Sequence, residues 1–444
     1  MSGRDEPDAP DAGFGEASRY AAHIDRGWAL LDKGELSAAR TSVAHAQDVR
    51  PDEPDASLLL GAIALGEGNA AEALRCYDRA IELDPEYLEP YAAAAAVCLY
   101  DLDDPARALR YIGDALELEE LAPLEALDLQ LLAAECELAG DDVHAAGDRL
   151  RELPTAAVLE ATLALTAGGL PSDPAELVAD DPVRDAAWQY LALDAEGEAL
   201  EDEERVERGQ RALGLALRLC QLRADAELLP EAHALVVKLA QWFPRDAEVW
   251  GLRGELEFRA GAVVEAARAG LRTLELDAEA PLPEFVPSPA VVHRKVLQAL
   301  ANCGELRLSS LVERTAAPAI LVRELPPAEL VLEGVSPRVA VIATASRPDG
   351  PDPRGTDRSE LTGLTVYRKN IARMVRDLEG FEDELRYCVL EELAAFFALP
   401  ARVRKNLGLD PIEAPPLRSP PDRADESLVD AKPPRRKGPR KRKE

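Results

Sequence analysis

The residues best equipped for chemistry lie late in the chain, in Tyr387–Pro400, "YCVLEELAAFFALP". Glu391 and Glu392 are adjacent carboxylates in an apolar stretch with helical texture, and Ala395 follows one turn after Glu391. Side chains at i and i+4 share one helix face, so a metal-binding helix would carry imidazoles at those two places. This chain offers an acid and a methyl group. A single carboxylate does not hold Zn²⁺, which takes three or four protein ligands. No histidine occurs after His293; the other four, His23, His45, His144 and His233, are scattered, and all five read as surface or packing residues. The six cysteines, Cys76, Cys98, Cys136, Cys220, Cys303 and Cys388, form no CxxC pair and read as small buried hydrophobes in a reducing compartment. Neither cofactor, metal nor catalytic residue is expected.

The elements around that stretch are set by a chain too long for one ordinary core, with 444 residues, 47% hydrophobic and 30% charged. Aromatic residues make up only 5%, and alanine and leucine dominate, which favours helix. The formal net charge of -32 repels nucleic acid and anionic membrane over most of the surface. The opening "MSGRDEPDAPDAGFGE" has no apolar segment of the signal-peptide kind, and no run is long and apolar enough to span a bilayer, so a cytoplasmic protein is expected.

The first two thirds repeat. From Pro54, the residues Gly61, Gly68, Ala73, Tyr77, Ala80 and Pro85 recur at the offsets of a unit about 34 residues long. A preceding unit from Tyr20 places Gly27, Gly34, Ala39, Ala46 and Pro51 alike, and a third from Leu88 places Tyr91, Ala108 and Ala115, with one residue inserted near Asp103. A weaker unit covers Ala126–Pro154. Two later ones cover Leu213–Asp246, with Ala232 and Pro244, and Ala247–Glu279, with Trp250, Gly254, Gly261 and Ala266. Small residues let two helices approach closely, and proline ends the second. "PSDPAELVADDP" and the acidic "LALDAEGEALEDEERVERGQ" interrupt the pattern.

These offsets resemble the tetratricopeptide repeat (TPR). The resemblance implies an α-solenoid that binds a protein or peptide on its concave face. The first helices of the units, "SLLLGAIALG" and "PYAAAAAVCLY", carry no cation, so the clamp for acidic C-termini is not expected.

From Pro281 the texture becomes α+β. A helix at Val291–Ala301 precedes a helix and strand in "LRLSSLVERTAAPAILVRELPP". A half-buried strand with Val339, Val341 and Ala343, a loop "DGPDPRGTDRSE", and a strand entering a helix in "LTVYRKNIARMVRD" follow, then a helix over Glu382–Leu399. "LEGV" at Leu332–Val335, "LTVYRKNI" at Leu364–Ile371 and "ELR" at Glu384–Arg386 resemble the scaffold of the minimal zincin-like metallopeptidases found in many bacteria. Against that family's HExxH motif, Glu391 replaces the first histidine, Glu392 retains the glutamate, and Ala395 replaces the second histidine. Phe396, Ala398 and Ala401 stand for a histidine, a glycine and the third, acidic ligand. The resemblance implies a pseudoenzyme, with Leu385, Val389, Leu393, Phe396 and Phe397 on one apolar side and a filled, dry cleft beside Ala395 and Ala398. Glu384 reads as an acid at the helix N-terminus.

The expected organisation is a mainly α chain: a disordered acidic segment 1–19, a TPR-type solenoid over 20–279, a small zincin-like α+β domain over 280–410, and a disordered tail over 411–444. The tail is rich in proline and ends in the basic run "KPPRRKGPRKRKE", with Lys432–Lys443 able to make weak contacts with nucleic acid or an anionic surface, though no aromatic residue offers a stacking platform. The expected function is a non-catalytic interaction scaffold with a pseudo-metallopeptidase domain. The alternatives are a metal-dependent peptidase with atypical ligands and a nucleic-acid-associated scaffold acting through the tail.

Overall fold

The structure, a computed structural model, describes residues 12–119, 121–169, 181–194, 197–313, 318–346 and 360–409. The tail from residue 411, the segment 171–180 and most of the loop after the second strand lie outside these residues. Twenty helices and one three-stranded sheet form among the described residues. They fall into two compact units, Met1–Pro244 with Glu255–Ala260, and Arg245–Gly254 with Gly261–Glu444.

The first unit is built from helical hairpins. They pair α1 (Ala12–Asp32) with α2 (Leu36–Val49), α3 (Pro54–Gly66) with α4 (Ala70–Leu83), α5 (Leu88–Tyr100) with α6 (Pro105–Ala115), and α7 (Pro123–Ala139) with α8 (Val143–Arg151). Further hairpins pair α9 (Ala156–Gly168) with α10 (Pro182–Ala192) and α11 (Asp202–Asp225) with α12 (Leu229–Trp242). Proline opens α3, α6 and α7, where its missing N–H costs nothing. The first helix begins at Ala12, ahead of Tyr20, so residues 12–19, expected to be disordered, are helical.

The turns inside the hairpins share one conformation. Gly34, Gly68, Asp103, Asp141 and Glu227 all have positive φ, as does Gly261 between α13 (Ala247–Arg259) and α14 (Val263–Glu279). The residue after each turn closes it with a long backbone bond: Glu35 N–H to Leu30 O at 2.9 Å, Asn69 to Ala64 at 2.9 Å, Asp142 to Glu137 at 2.8 Å and Leu228 to Arg223 at 2.7 Å. That is a helix C-terminus stopped by a left-handed residue. Asn69, Asp104 and Asp142 then cap the second helices, accepting from Glu72, Arg107 and Ala145 N–H. At Asp103 the turn is one residue longer and closes from Asp104 N–H to Cys98 O at 2.8 Å, which places the inserted residue.

This signature explains the irregular middle. The turn recurs at Glu227, long after Asp141, and α11 packs on both α7 and α8 as the first helix of a following repeat does. The Arg223 guanidinium donates to Leu150 O of α8. The hairpin α9–α10 is therefore an insertion between successive repeats, lying against α7, α11 and α12.

Within the hairpins a small residue faces a large one. A Cβ on Gly61 would lie 2.2 Å from the Tyr77 ring, and one on Gly27 would lie 2.6 Å from Leu59 and 3.6 Å from Val43. Where the position of Gly61 carries Ala95, Ala134 or Cys220, the position of Tyr77 carries the smaller Ile112, Leu150 or Val236, and all six are buried. Ala73, Tyr77 and Ala80 are buried, and Pro85 is exposed in the link to α5.

The second unit contains α14 and the C-terminal α+β elements. These are α15 (Pro289–Asn302), α16 (Leu306–Glu313), β1 (Ala319–Arg323), α17 (Ala328–Leu332), β2 (Val341–Ser346), β3 (Glu360–Tyr367), α18 (Arg368–Ala372), α19 (Leu378–Phe396) and α20 (Ala401–Asn406). The strand order is β1-β3-β2, with β1 parallel to β3 (Leu321 opposite Thr365) and β2 antiparallel to it (Ile342 opposite Thr365). Helices α15 and α19 pack on the sheet over a core of Val292, Val296, Leu364, Val366, Phe381, Leu385, Val389 and Leu393.

The grouping of α14 with this unit differs from the boundary expected at residue 280. Gly270 stands where Tyr77 stands in the second repeat, and a Cβ there would lie 2.8 Å from Val331 of α17. Asp277, buried near the end of α14, pairs with Arg373 and, at 3.5 Å, with Arg338. Glu248 joins the same two arginines, at 2.5 Å for Arg338.

Candidate functional site

The motif residues that precede α19 are structural, and their partners show why. Tyr367 is buried at the end of β3. Arg368 donates to Pro287 O at 3.0 Å and to Glu324 Oε1 at 2.9 Å. Lys369 Nζ donates to Ala278 O, and Asn370 Nδ2 donates to Pro337 O and Val339 O. Buried polar groups seek such partners, and here they staple β3 and α18 to the last turn of α14 and to irregular backbone around Pro287 and Pro337–Val339. Asp377 caps α19 by accepting from Gly380 N–H at 2.8 Å. Glu384 therefore lies in the second turn, not at the helix N-terminus as expected. It accepts the Cys388 thiol at 3.2 Å, and burial together with that bond pushes the thiol's pKa up. Arg386 reaches Leu407 O.

Glu391 and Glu392 point to different partners. Both Glu391 oxygens accept from Arg404 Nη2, at 2.6 and 2.7 Å, and the Arg404 side chain is only 4% exposed. Glu392 Oε1 accepts the backbone N–H of Ala343 at 2.7 Å. β2 is an edge of the sheet, and an edge strand leaves outward N–H groups needing partners. Burial raises the Glu392 pKa above the usual carboxylate range, with the Ala343 N–H opposing the shift.

The remaining motif positions do not converge. Ala395 and Ala398 are exposed rather than lining a filled, dry cleft, because α19 ends at Phe396 and the chain turns away at Ala398, which has φ 46°. Phe396 and Phe397 are half-buried and meet edge to face, 5.0 Å apart, and Phe397 packs against the apolar core. Among the described residues, no three His, Cys, Asp or Glu side chains gather closely enough to hold a metal ion. A zinc ion does not fit the residues present: its first ligand position is a carboxylate bound to a guanidinium, and the second is a methyl on open surface. His233, expected to be an ordinary residue, pairs with buried Glu257 at 3.0 Å.

The second candidate surface is the row of first helices in the hairpins. Trp28, Ala62 and Ala96 are half-buried at equivalent repeat positions, as are Leu31 with Leu65 and Leu58 with Ala92. These apolar side chains stop short of full burial in helix after helix. Of the later repeat positions, Trp250 is half-buried under the Arg253 guanidinium, 5.0 Å from the ring centre, while its neighbour Val249 is fully buried. Gly254 lies 3.5 Å, measured from a built Cβ, from Ala266 O and Gly270 N, and Ala266 is half-buried.

Residues 24–87, which hold the turns at Gly34 and Gly68, match the tetratricopeptide repeat family model. The matched hairpins, α1–α2 and α3–α4, are tetratricopeptide repeats. No curated protein matches the chain. Among solved structures, the chain is similar to pilF from Pseudomonas aeruginosa, at 15% identity and a TM-score of 0.38, over 60% of this chain and 95% of that one. It is similar to YrrB, described as a TPR protein with an unusual peptide-binding site, at 13% identity and a TM-score of 0.31, over 53% and 93%. It is also similar to a chain of Naa15/Naa10 bound to HypK-THB, at 15% identity and 0.35, over 63% and 43%. Likeness at this level carries no argument about partner or activity. Among the described residues, no helix is long and apolar enough to cross a membrane.

Glycine spacing does not mark the left-handed turns at Asp103, Asp141 and Glu227. A cap-forming Asp after Asp103 and Asp141 was the available signal. Nothing in the local sequence marks Glu227.

Proposed function

We propose that this chain is a non-catalytic, cytoplasmic interaction scaffold. Its TPR array binds a protein or peptide, and its C-terminal α+β elements are a degenerate zincin-like domain that holds a shape without chemistry. The observation that carries the reading is the double commitment of the two acids: Glu391 to Arg404 and Glu392 to Ala343 N–H. A base needs a free lone pair near a polarised water; Glu391 is held by Arg404 of α20, and Glu392 is turned toward the Ala343 N–H of β2. The positive φ of Ala398, where the resembling family carries glycine, also supports descent from that motif.

The test restores what the resemblance implies is missing. The triple variant Glu391→His, Ala395→His, Ala401→Asp is expected to retain about one zinc per chain by elemental analysis after dialysis, where the native chain retains none. A folded triple variant without zinc would remove the zincin reading. Stoichiometric zinc on the native chain, lost on Glu391→Ala, would make the chain a metalloprotein and remove the non-catalytic reading.

A further inference from the structure

Four first helices, α3, α5, α7 and α13, carry an acid at a repeated place, where α1 and α11 carry Ala21 and Gly214. Asp55, Glu89, Asp128 and Glu248 stand at the same distance before the left-handed turns at Gly68, Asp103, Asp141 and Gly261, allowing for the extra residue before Asp103. Two of the four are already served by arginines of this chain. Within the first unit, Arg218 of α11 donates to Asp128 at 2.6 Å and to Glu135, two turns on, at 2.6 Å, and the exposed Tyr100 hydroxyl joins Glu135. Within the second unit, Glu248 receives Arg338 and Arg373. At both of these repeat positions the segment packed against the acid brings a guanidinium.

At Asp55 and Glu89 no described residue brings one. Asp55 accepts only a neutral hydroxyl, from Tyr87 at 3.0 Å, and Glu89 is exposed. Helices α3 and α5 contain no Lys or Arg; the cations of their hairpins, Arg75, Arg79, Arg107 and Arg110, all sit on the second helices. A separate observation concerns the same helices. Leu58, Ala62 and Leu65 on α3, and Ala92 and Ala96 on α5, keep part of their apolar surface in water. An apolar stripe beside unpaired acids matches a ligand with apolar side chains and cations, and desolvated charge pairs of this kind set both specificity and on-rate.

We infer that the first-helix face of α3 and α5 takes a partner-protein segment that combines apolar residues with arginine or lysine, its cations seated on Asp55 and Glu89 as Arg218 is seated on Asp128. This rests on the scaffold reading and names the chemistry of its partner.

The probe is a random-sequence peptide display library selected on the full-length chain. Selected peptides are expected to be enriched in Arg or Lys interleaved with large apolar residues and to weaken with added salt. The double variant Asp55→Asn, Glu89→Gln is expected to weaken a selected peptide about tenfold while its melting temperature stays that of the native chain; Asn at 55 keeps an acceptor for Tyr87. Selected peptides that are neutral or acidic, or that bind the double variant equally well, overturn the inference and leave the scaffold reading standing. Basic peptides selected only when Lys432–Lys443 carry glutamine in place of every Lys and Arg would assign the surface to the chain's own tail and overturn a partner segment. No peptide selected by either chain overturns the scaffold reading itself.

Discussion

Hairpin α3–α4 in the first unit and hairpin α13–α14 share a turn and a repeat frame, yet their packing differs. In α3–α4 a glycine leaves room for the Tyr77 ring, and the contact is apolar and local. In α13–α14 the corresponding pair is Gly254 and Gly270, and no ring fills the gap. Val331 of α17 abuts Gly270, and buried Asp277 gathers Arg373 and Arg338. Burying an aromatic ring stabilises through area removed from water and tolerates neighbours of many sequences. A buried charge tolerates only a partner of opposite sign in good geometry. Repeats can therefore be copied down a chain, while the end of the array is specified by a few irreplaceable polar residues.

The largest effect separating the two modes is expected at Asp277. Replacing it with alanine leaves two arginines, each about a quarter exposed, without their buried counter-charge. The expected cost is about 3–5 kcal/mol, read as an earlier unfolding transition in urea. A cost below about 1 kcal/mol would mean that Glu248 and solvent suffice for both guanidiniums, and the contrast between the units would fail.

Next comes the ring contact. Gly61→Ala places a methyl within 2.2 Å of a carbon of Tyr77 and is expected to cost about 1–3 kcal/mol. Pairing it with Tyr77→Leu, which copies the Ala134 and Leu150 pairing of the fourth hairpin, is expected to cost less than the sum of the two single changes by a measurable coupling energy. Simple additivity would show that the small and large positions are not complementary.

The same contrast decides what the sequence discloses. A repeated steric contact leaves a repeated residue type, so Gly61, Ala73, Tyr77 and Ala80 are readable from spacing alone. The turn is a backbone requirement that glycine meets best but Asp and even Glu also meet, so half of the turns are silent and the α9–α10 insertion looks like mere irregularity. The TPR fold follows from residues 24–87, while the arrangement around α14 does not, because Asp277 meets Arg338 and Arg373 across long stretches of chain with no local pattern. In β3, α18 and α19, "YRKN" and "ELR" stand out as motifs, but only their contacts show that Arg368, Lys369, Asn370 and Arg386 donate to backbone carbonyls. The partners of Glu391 and Glu392 were equally hidden: a guanidinium thirteen residues on and an edge-strand N–H.

A smaller effect tests the turns. Glu227 holds φ 61°, a conformation costly for a residue with a Cβ. Glu227→Gly is expected to stabilise the first unit by about 0.5–1 kcal/mol, net of the extra freedom glycine gains when unfolded. Gly68→Ala is expected to destabilise by a similar amount. If both changes were neutral, the shared turn would not be a determinant of the repeat.

The smallest effect distinguishes a carboxylate kept for its charge from one kept for its shape. Burial raises the Glu392 pKa in the folded chain, against the pull of the Ala343 N–H. Between the ordinary glutamate pKa and the raised one, the folded chain binds more protons than the unfolded chain. Stability is therefore lost as pH rises through that window, and the loss is complete at higher pH. Glutamine offers Ala343 the same oxygen and never ionises. Glu392→Gln is expected to melt slightly higher than the native chain at about pH 7, with the difference closing as pH falls below about 4. Melting curves of both proteins across that range provide the check. A native chain more stable than the variant at neutral pH would mean that the charge itself is wanted at β2, and Glu392 would no longer be only the cap of an edge strand.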